Sequence, residues 1–384
     1  MKSGVGYRYH LTPILYLVIL IWKNTLLRKL LQRNKYMKKQ TNKQYHDSYS
    51  LKHHNHNISR DNLKHHKKYA PMSRQDIIAR GIEAMNPLKK ILTVPNIFSF
   101  IHNPEESIDF VNSINSYVEG GKKSFFISMK YVEDLTVDVL LYIVSMDKIF
   151  KQKYGDISLT IRIPQDKRLK YLVYTSGIQE YFKGDGGSFP IPKDGFLPIM
   201  DGGRSGDGDI IDDAITCQKA VDFTESSFDF NTNKKDHLTD LYVALAELME
   251  NTDEHAYTKD DCLNDWYLYA NKIQDRVIFY YFDNGEGILN TIRTTTMEKA
   301  LKKFGYTQEE KLLKSAFDGE LRSNTKLPYR GKGLLDINHY LENEDIVAFM
   351  VLTNNAMYSK LDGITSSKKL KNNFQGTFFL WVIE

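Results

Sequence analysis

One stretch divides this chain more sharply than any other. Gly184–Asp209 holds eight of the 23 glycines and three of the ten prolines in 384 residues. Glycine loses the most backbone entropy on ordering and proline lacks an amide donor, so this stretch cannot sustain a helix or a central strand. It predicts a linker or long surface loop over 184–209, with folded segments over 76–183 and 210–384. The 41% hydrophobic share supplies buried cores and excludes wholesale disorder. A mean hydropathy of −0.45 argues against a polytopic membrane protein. Two cysteines, Cys217 and Cys262, provide neither a disulfide framework nor a Cys-based zinc site, which reads as a reduced, cytoplasmic setting.

Charge is unevenly spread. Residues 1–70 carry 15 Lys/Arg against two Asp/Glu, together with seven of the 11 histidines. The remainder is net acidic, so the overall charge of +4 supports no specific nucleic-acid partner. A short apolar segment, 11–22, has an unbroken apolar run at Ile14–Trp22, with basic residues from Lys23 to Lys39. A spanning helix needs about 20 apolar residues, and no small-residue cleavage site follows this run. Peripheral contact of residues 11–31 with a membrane surface is the membrane reading; a basic, His-rich, disordered tail over 1–70 is the plainer one.

The two folded segments differ in pattern. In the first, Phe125–Ser128 reads as a buried strand, and Leu135, Val139, Tyr142, Ile143 and Met146 recur at helical spacing over 135–151. Ile157–Ile163 alternates as a strand, and Asp166 caps a helix that turns Leu169, Leu172 and Val173 inward. Strand, helix, strand, helix predicts a small α/β domain. The second segment reads as a helix over 236–257, strands at 265–271 and 276–282, and a long polar stretch. A helix over 332–342 and strands at 346–353 and 374–383 complete it. Helices covering a mixed sheet fit that order, an α/β class of α+β sandwich type.

Three boxes in the second segment carry chemistry. On the first helix Glu247 and Asn251 are four residues apart, stacked on one surface and turned from the Leu238, Leu241, Leu245 and Leu248 stripe. A carboxamide oxygen suits Mg²⁺, and a carboxylate can orient or deprotonate a water; a solvated helix face is the plain alternative. Val277–Phe282 runs directly into Asp283, Asn284, Gly285, Glu286, Gly287 and Ile288. An acceptor at a strand end beside side-chain-free backbone suits an exocyclic amine on a flat base, although the same letters also describe an ordinary hairpin turn. Arg330, Gly331, Lys332, Gly333 and Leu334 then open a helix, where backbone N–H groups and the helix dipole favour phosphate.

In that order the boxes resemble the GHKL ATPase superfamily, and Gly376–Thr377 near the last strand looks like its closing motif. ELMENTDEHAY is most similar to the corresponding box of anti-sigma-factor serine kinases. The resemblance implies ATP and Mg²⁺ as ligands. It gives Asn251 to the metal, Glu247 to the attacking water or hydroxyl, and Asp283, supported by Thr377, to the adenine amine. It sets Gly285 and Gly287 beside base and ribose and gives Gly331, Gly333 and Leu334 backbone contacts to the phosphates, with 289–329 as a lid; charge-assisted contacts from Arg330 and Lys332 are the reading of those residues themselves. The first segment is similar in layout to STAS domains, although Glu133-Asp134-Leu135-Thr136 lacks the phosphorylatable serine of that group.

The activity implied is an Mg-ATP-dependent regulatory ATPase or serine/threonine protein kinase acting in signalling on a protein partner, with a homodimer among the expected assemblies. The alternative is a nucleotide-gated interaction module with little turnover. A histidine kinase ranks below both, since His237 lies too near Asn251 and His102 sits in a proline-containing loop.

Overall fold

A computed structural model of the chain describes residues 90–155, 157–182, 195–203, 213–228, 235–254, 265–292, 308–318 and 332–384. Within these, 235–236, 253–254 and 332–336 are described by backbone alone. The apolar run at 14–22 and the basic tail lie outside the described residues, among which no helix is long and apolar enough to cross a membrane.

Lys90–Glu384 forms one compact unit of mixed helix and strand. Its first part contains β1 (Lys90–Thr93), β2 (Ile97–Phe98), α1 (Pro104–Glu119), β3 (Ser124–Ser128), β4 (Asp134–Leu135), α2 (Val137–Tyr154), β5 (Ser158–Arg162) and α3 (Lys167–Thr175). Strands β1, β3 and β5 pair in parallel in that order, and β2 pairs with β4. Helix α1 escaped the sequence reading. Its signals are ordinary: a proline in the first turn, Glu105 and Glu106 near the positive end of the dipole, and Ile108, Val111, Ile114 and Val118 on one face. The Asp166 cap is observed, with Oδ1 accepting the amides of Arg168 and Leu169 at 2.9 and 3.0 Å.

The second part contains β6 (Phe196–Gly203), α4 (Asp213–Ser227), α5 (Lys235–Glu254), β7 (Asp265–Ile273), β8 (Arg276–Asp283), α6 (Ile288–Ile292), α7 (Glu309–Phe317), α8 (Lys332–Leu341), β9 (Ile346–Leu361) and β10 (Ile364–Ile383). The sheet order is β6-β7-β8-β10-β9, and every described pair is antiparallel, so the mixed sheet expected here is corrected to an antiparallel one. Tight hairpins explain this, because β7–β8 and β9–β10 are consecutive and short loops enforce antiparallel pairing. The β9–β10 turn is made at Asp362 and Gly363, both with positive φ (46° and 78°), as a primed turn requires. Within the glycine-rich stretch, Phe196–Gly203 forms an edge strand, the position where sheet tolerates Pro198 and paired glycines.

Alternation along β8 assigns the two faces. Val277, Phe279 and Tyr281 meet a core with Leu241, Leu245, Leu248, Leu312, Phe317, Ile337 and Tyr340 from the helices. Ile278, Tyr280 and Phe282 belong to a second core that includes Phe100, Leu140 and Tyr142 of the first part. Tyr142 is the pivot: its ring lies 5.2 Å from Phe282 and 5.4 Å from Phe374, and Phe100 lies 5.0 Å from Phe374. Every residue from Val137 to Asp147 is buried, as expected of a helix covered on more than one side. Each such apolar side chain contributes about 1.5–3 kcal/mol. The first part therefore roofs the sheet face opposite the helices.

Candidate functional site

Antiparallel pairing puts Thr377 directly opposite Asp283, and Thr353 opposite Thr377 on the next strand. Asp283 continues the helix-facing set of β8 and keeps part of its surface exposed. Its Oδ1 accepts the Gly285 amide at 3.0 Å, and Thr377 donates to the carboxylate through both its side chain and its backbone. Burial pushes the carboxyl up to about 7; the Gly285 and Thr377 hydrogen bonds work the other way and do not overcome it. Among the described residues no cation forms an ion pair with Asp283. The carboxylate is therefore a partly exposed acceptor whose protein hydrogen bonds come from Gly285 and Thr377.

The turn after Asp283 is tightly held. Gly287 has φ +85°, and a Cβ there would stand 2.5 Å from Asn354 Oδ1 and 2.7 Å from Thr353 Oγ1. Gly376 has φ +93°, and its Cβ would fall 2.1 Å from the Asp283 carbonyl. Both glycines thus answer to packing as well as to conformation. Gly287 is buried, while Gly285 remains partly exposed beside the Asp283 carboxylate. On the opposite side of the sheet Asn284 accepts the Asp265 amide at 2.9 Å. Its Nδ2 has no hydrogen-bond partner among the described residues, and the residue lines a cavity of about 30 Å³ with Tyr142, Ser145 and Phe282, room enough for a water.

Helix α5 approaches the same end. Thr252 Oγ1 lies 2.8 Å from the Tyr281 hydroxyl, and both groups lie 2.9 Å from the Leu248 carbonyl. Tyr281 precedes Asp283 by two residues, about 7 Å along the strand on the same face. Asn251, next to Thr252, and Glu247, one turn earlier, are partly exposed, whereas Leu245, Leu248 and Met249 are buried. The expected separation of polar and apolar faces is therefore present.

Helix α8 supplies the third element. His237, near the start of α5, packs its ring 5.6 Å from Tyr340, near the end of α8. The helices pack along one another, so they run antiparallel. At about 1.5 Å per residue, the start of α8 at Lys332 lies level with Leu245–Glu247 of α5. Gly333 and Leu334 fall in the first turn of that helix; Arg330 and Gly331 lie outside the described residues. The second half of α5 thus adjoins the end of β8 that carries Asp283, through Thr252 and Tyr281.

Part of the span expected as a lid, 289–329, is core. Leu289, Ile292, Leu312, Leu313 and Phe317 are buried, and Phe317 stacks on Tyr358 at 5.4 Å. Apolar spacing on α7 explains the anchoring. Lys314 pairs with Asp318, which also accepts the Tyr358 hydroxyl at 2.8 Å.

In the first part, Thr136 is buried, hydrogen-bonded to Asp138 and 2.6 Å from Ser99 Oγ. Asp138 in turn accepts the amides of Phe100 and Ile101 at 2.8 and 3.1 Å, so this cluster fixes a loop. His102 Nδ1 meets Asp134 at 2.6 Å. The sequence reading missed Thr353 and Asn354, whose signal is a run of three polar residues, Thr353 to Asn355, interrupting the apolar strand VAFMVLTNNAM.

No set of three or more His, Cys, Asp or Glu among the described residues could hold a metal ion. Mg²⁺ brought by a nucleotide needs no such cage, since phosphates and water fill most of its coordination sphere. No protein-family model matches the chain, and no curated protein matches its sequence.

Proposed function

We propose that this protein binds Mg-ATP through a GHKL-type domain formed by its second part and acts as a regulatory ATPase or serine/threonine protein kinase in signalling. The observation that carries the reading is Asp283, a desolvated acceptor backed by Thr377 and the Gly285 amide, at the sheet end that α5 also approaches. The residues fit the ligand chemically. Asp283 accepts the exocyclic amine of adenine, with Gly285 bordering the base. Asn251 offers a hard oxygen for Mg²⁺, and the start of α8 at Lys332, Gly333 and Leu334 directs amides at phosphate. Arg330 and Gly331 belong to the same phosphate box by sequence.

Bound Mg-ATP supplies the transferable phosphoryl group and the metal charge that offsets its negative oxygens. Glu247 orients the attacking water or hydroxyl and takes its proton. The STAS-like first part, which packs on the sheet's far face, is the element for a protein partner. The retained Glu247 favours turnover over a purely nucleotide-gated module, the second reading.

Incubation with γ-labelled ATP and host lysate separates the outcomes. One labelled protein band identifies a kinase, labelled free phosphate identifies an ATPase, and neither leaves the gated module. Glu247→Ala should retain nucleotide binding while losing either signal.

A further inference from the structure

We infer that Asn354, together with Thr353, is a positioning residue that sets the purine selectivity of the Asp283 site. The inference rests on the Mg-ATP reading and deepens it. Both residues belong to β9 and are buried behind the Asp283–Gly287 turn, too deep for a base stacked at the sheet end to reach.

Their contacts are specific to the turn. Thr353 Oγ1 accepts the Ile288 amide at 3.0 Å, and Asn354 Oδ1 accepts the Leu289 amide at 3.0 Å. Together they cap the two leading amides of α6, which immediately follows the glycines. Asn354 Nδ2 donates to the Glu286 carbonyl at 2.9 Å, fixing the residue between Gly285 and Gly287. The Thr353 hydroxyl lies 3.2 Å from both Asn354 Oδ1 and the Gly376 carbonyl, either of which can take its single proton. It also lies 3.5 Å from Thr377 Oγ1, the group that supports Asp283. Asn354 holds a left-handed backbone (φ +50°), a conformation that asparagine tolerates better than most residues and that aims its amide back at the turn.

The chain of contacts therefore runs from Asp283 through Thr377 to Thr353, then through Asn354 to Glu286 and Leu289, and closes on the glycine turn. Discrimination between purines depends on where one carboxylate stands. An amine at purine position six donates to the ionised carboxylate, which repels the carbonyl of hypoxanthine or guanine at that position. If the turn is released, the carboxylate can retreat from a carbonyl as easily as it meets an amine. Selectivity then falls while the phosphate contacts, made on α8, stay as they are.

The test measures equilibrium binding of Mg-ATP, Mg-ITP and Mg-tripolyphosphate at pH 8 to the full chain and to Asn354→Ala. The expected result is about a tenfold loss of ATP affinity, an equal loss in the ATP-to-ITP ratio, and unchanged tripolyphosphate binding. Asn354→Asp keeps the acceptor for Leu289 and loses the donor to Glu286; it serves should the alanine variant fail to fold. Thr353→Ser, which keeps the hydroxyl, should restore wild-type selectivity where Thr353→Val does not. A folded variant that weakens all three ligands equally, or keeps the wild-type ATP-to-ITP ratio, overturns the inference. Wild-type protein that binds none of the three overturns instead the Mg-ATP reading beneath it.

Discussion

Thr377 stands directly across the β8–β10 pair from Asp283, and its hydroxyl and amide both hydrogen-bond that carboxylate. Two neighbours on adjacent strands thus set the orientation of the acceptor without neutralising it. Thr377→Val keeps the side-chain shape and removes one donor. Loss of one such bond to a charged acceptor costs about 1.5–3 kcal/mol, so ATP affinity should fall by at least about tenfold. Calorimetric titration measures this, and a melting temperature within a few degrees of wild type separates it from general destabilisation.

Asp283 gives the protein a characteristic pH dependence. Its carboxyl is raised from an ordinary 3.8 to about 7 by burial, so the folded state keeps a proton that the unfolded chain has lost. Below about pH 4 both states hold the proton and folding gains nothing from the difference. Between about pH 4 and 7 stability falls as pH rises, and above 7 the loss is complete. Asp283→Asn should be more stable than wild type at pH 8 and equal to it near pH 4, by urea denaturation at each pH. Wild-type ATP binding should tighten from pH 6 to 8, because the ionised carboxylate is the better acceptor. In Asp283→Asn that trend should vanish.

Lys148 and Asp265 join the two parts. Lys148 Nζ lies 3.0 Å from a carboxylate that is fully buried, and 3.5 Å from Asp201. Lys148→Met takes away this cation and should destabilise the protein by about 3–5 kcal/mol. The double variant with Asp265→Asn should regain most of that, since an amide costs less to bury than an unpaired charge. Chemical denaturation of the three variants completes the cycle.

Tyr142 tests whether the two parts unfold together. Its ring bridges Phe100, Phe282 and Phe374, all in one continuous core. Tyr142→Ala should cost about 3–5 kcal/mol and lower one unfolding midpoint shared by circular dichroism and fluorescence. Two separated transitions in the wild type would contradict a common core.

Local chemistry made much of this legible in the sequence. The Leu241–Leu245–Leu248 stripe announces α5 and places Glu247 and Asn251 off the core. Strand β8 reads as an unbroken apolar run because Val277–Phe282 is covered on both faces, by helices on one and by α2 on the other. What the sequence hid is mostly non-local. The fit of Tyr142 against Phe282 and Phe374 joins residues more than a hundred positions apart, and no periodicity reports it. Thr353 and Asn354 read as two polar interruptions in a strand until β9 is laid beside the glycine turn. The β9–β10 hairpin is longer than its apolar runs announce, because Asn372 and Asn373 mark a register irregularity, not a strand end, and the chain turns only at Asp362–Gly363.

The account stands on nucleotide binding at Asp283. Titration of Mg-ATP into the full-length protein and into Asp283→Asn at pH 8 measures this directly. Saturable 1:1 binding by the wild type, weakened about tenfold or more in the variant although it is the more stable protein, is the expected result. Equal ATP affinity in the two proteins, or no binding by the folded wild type, would contradict it.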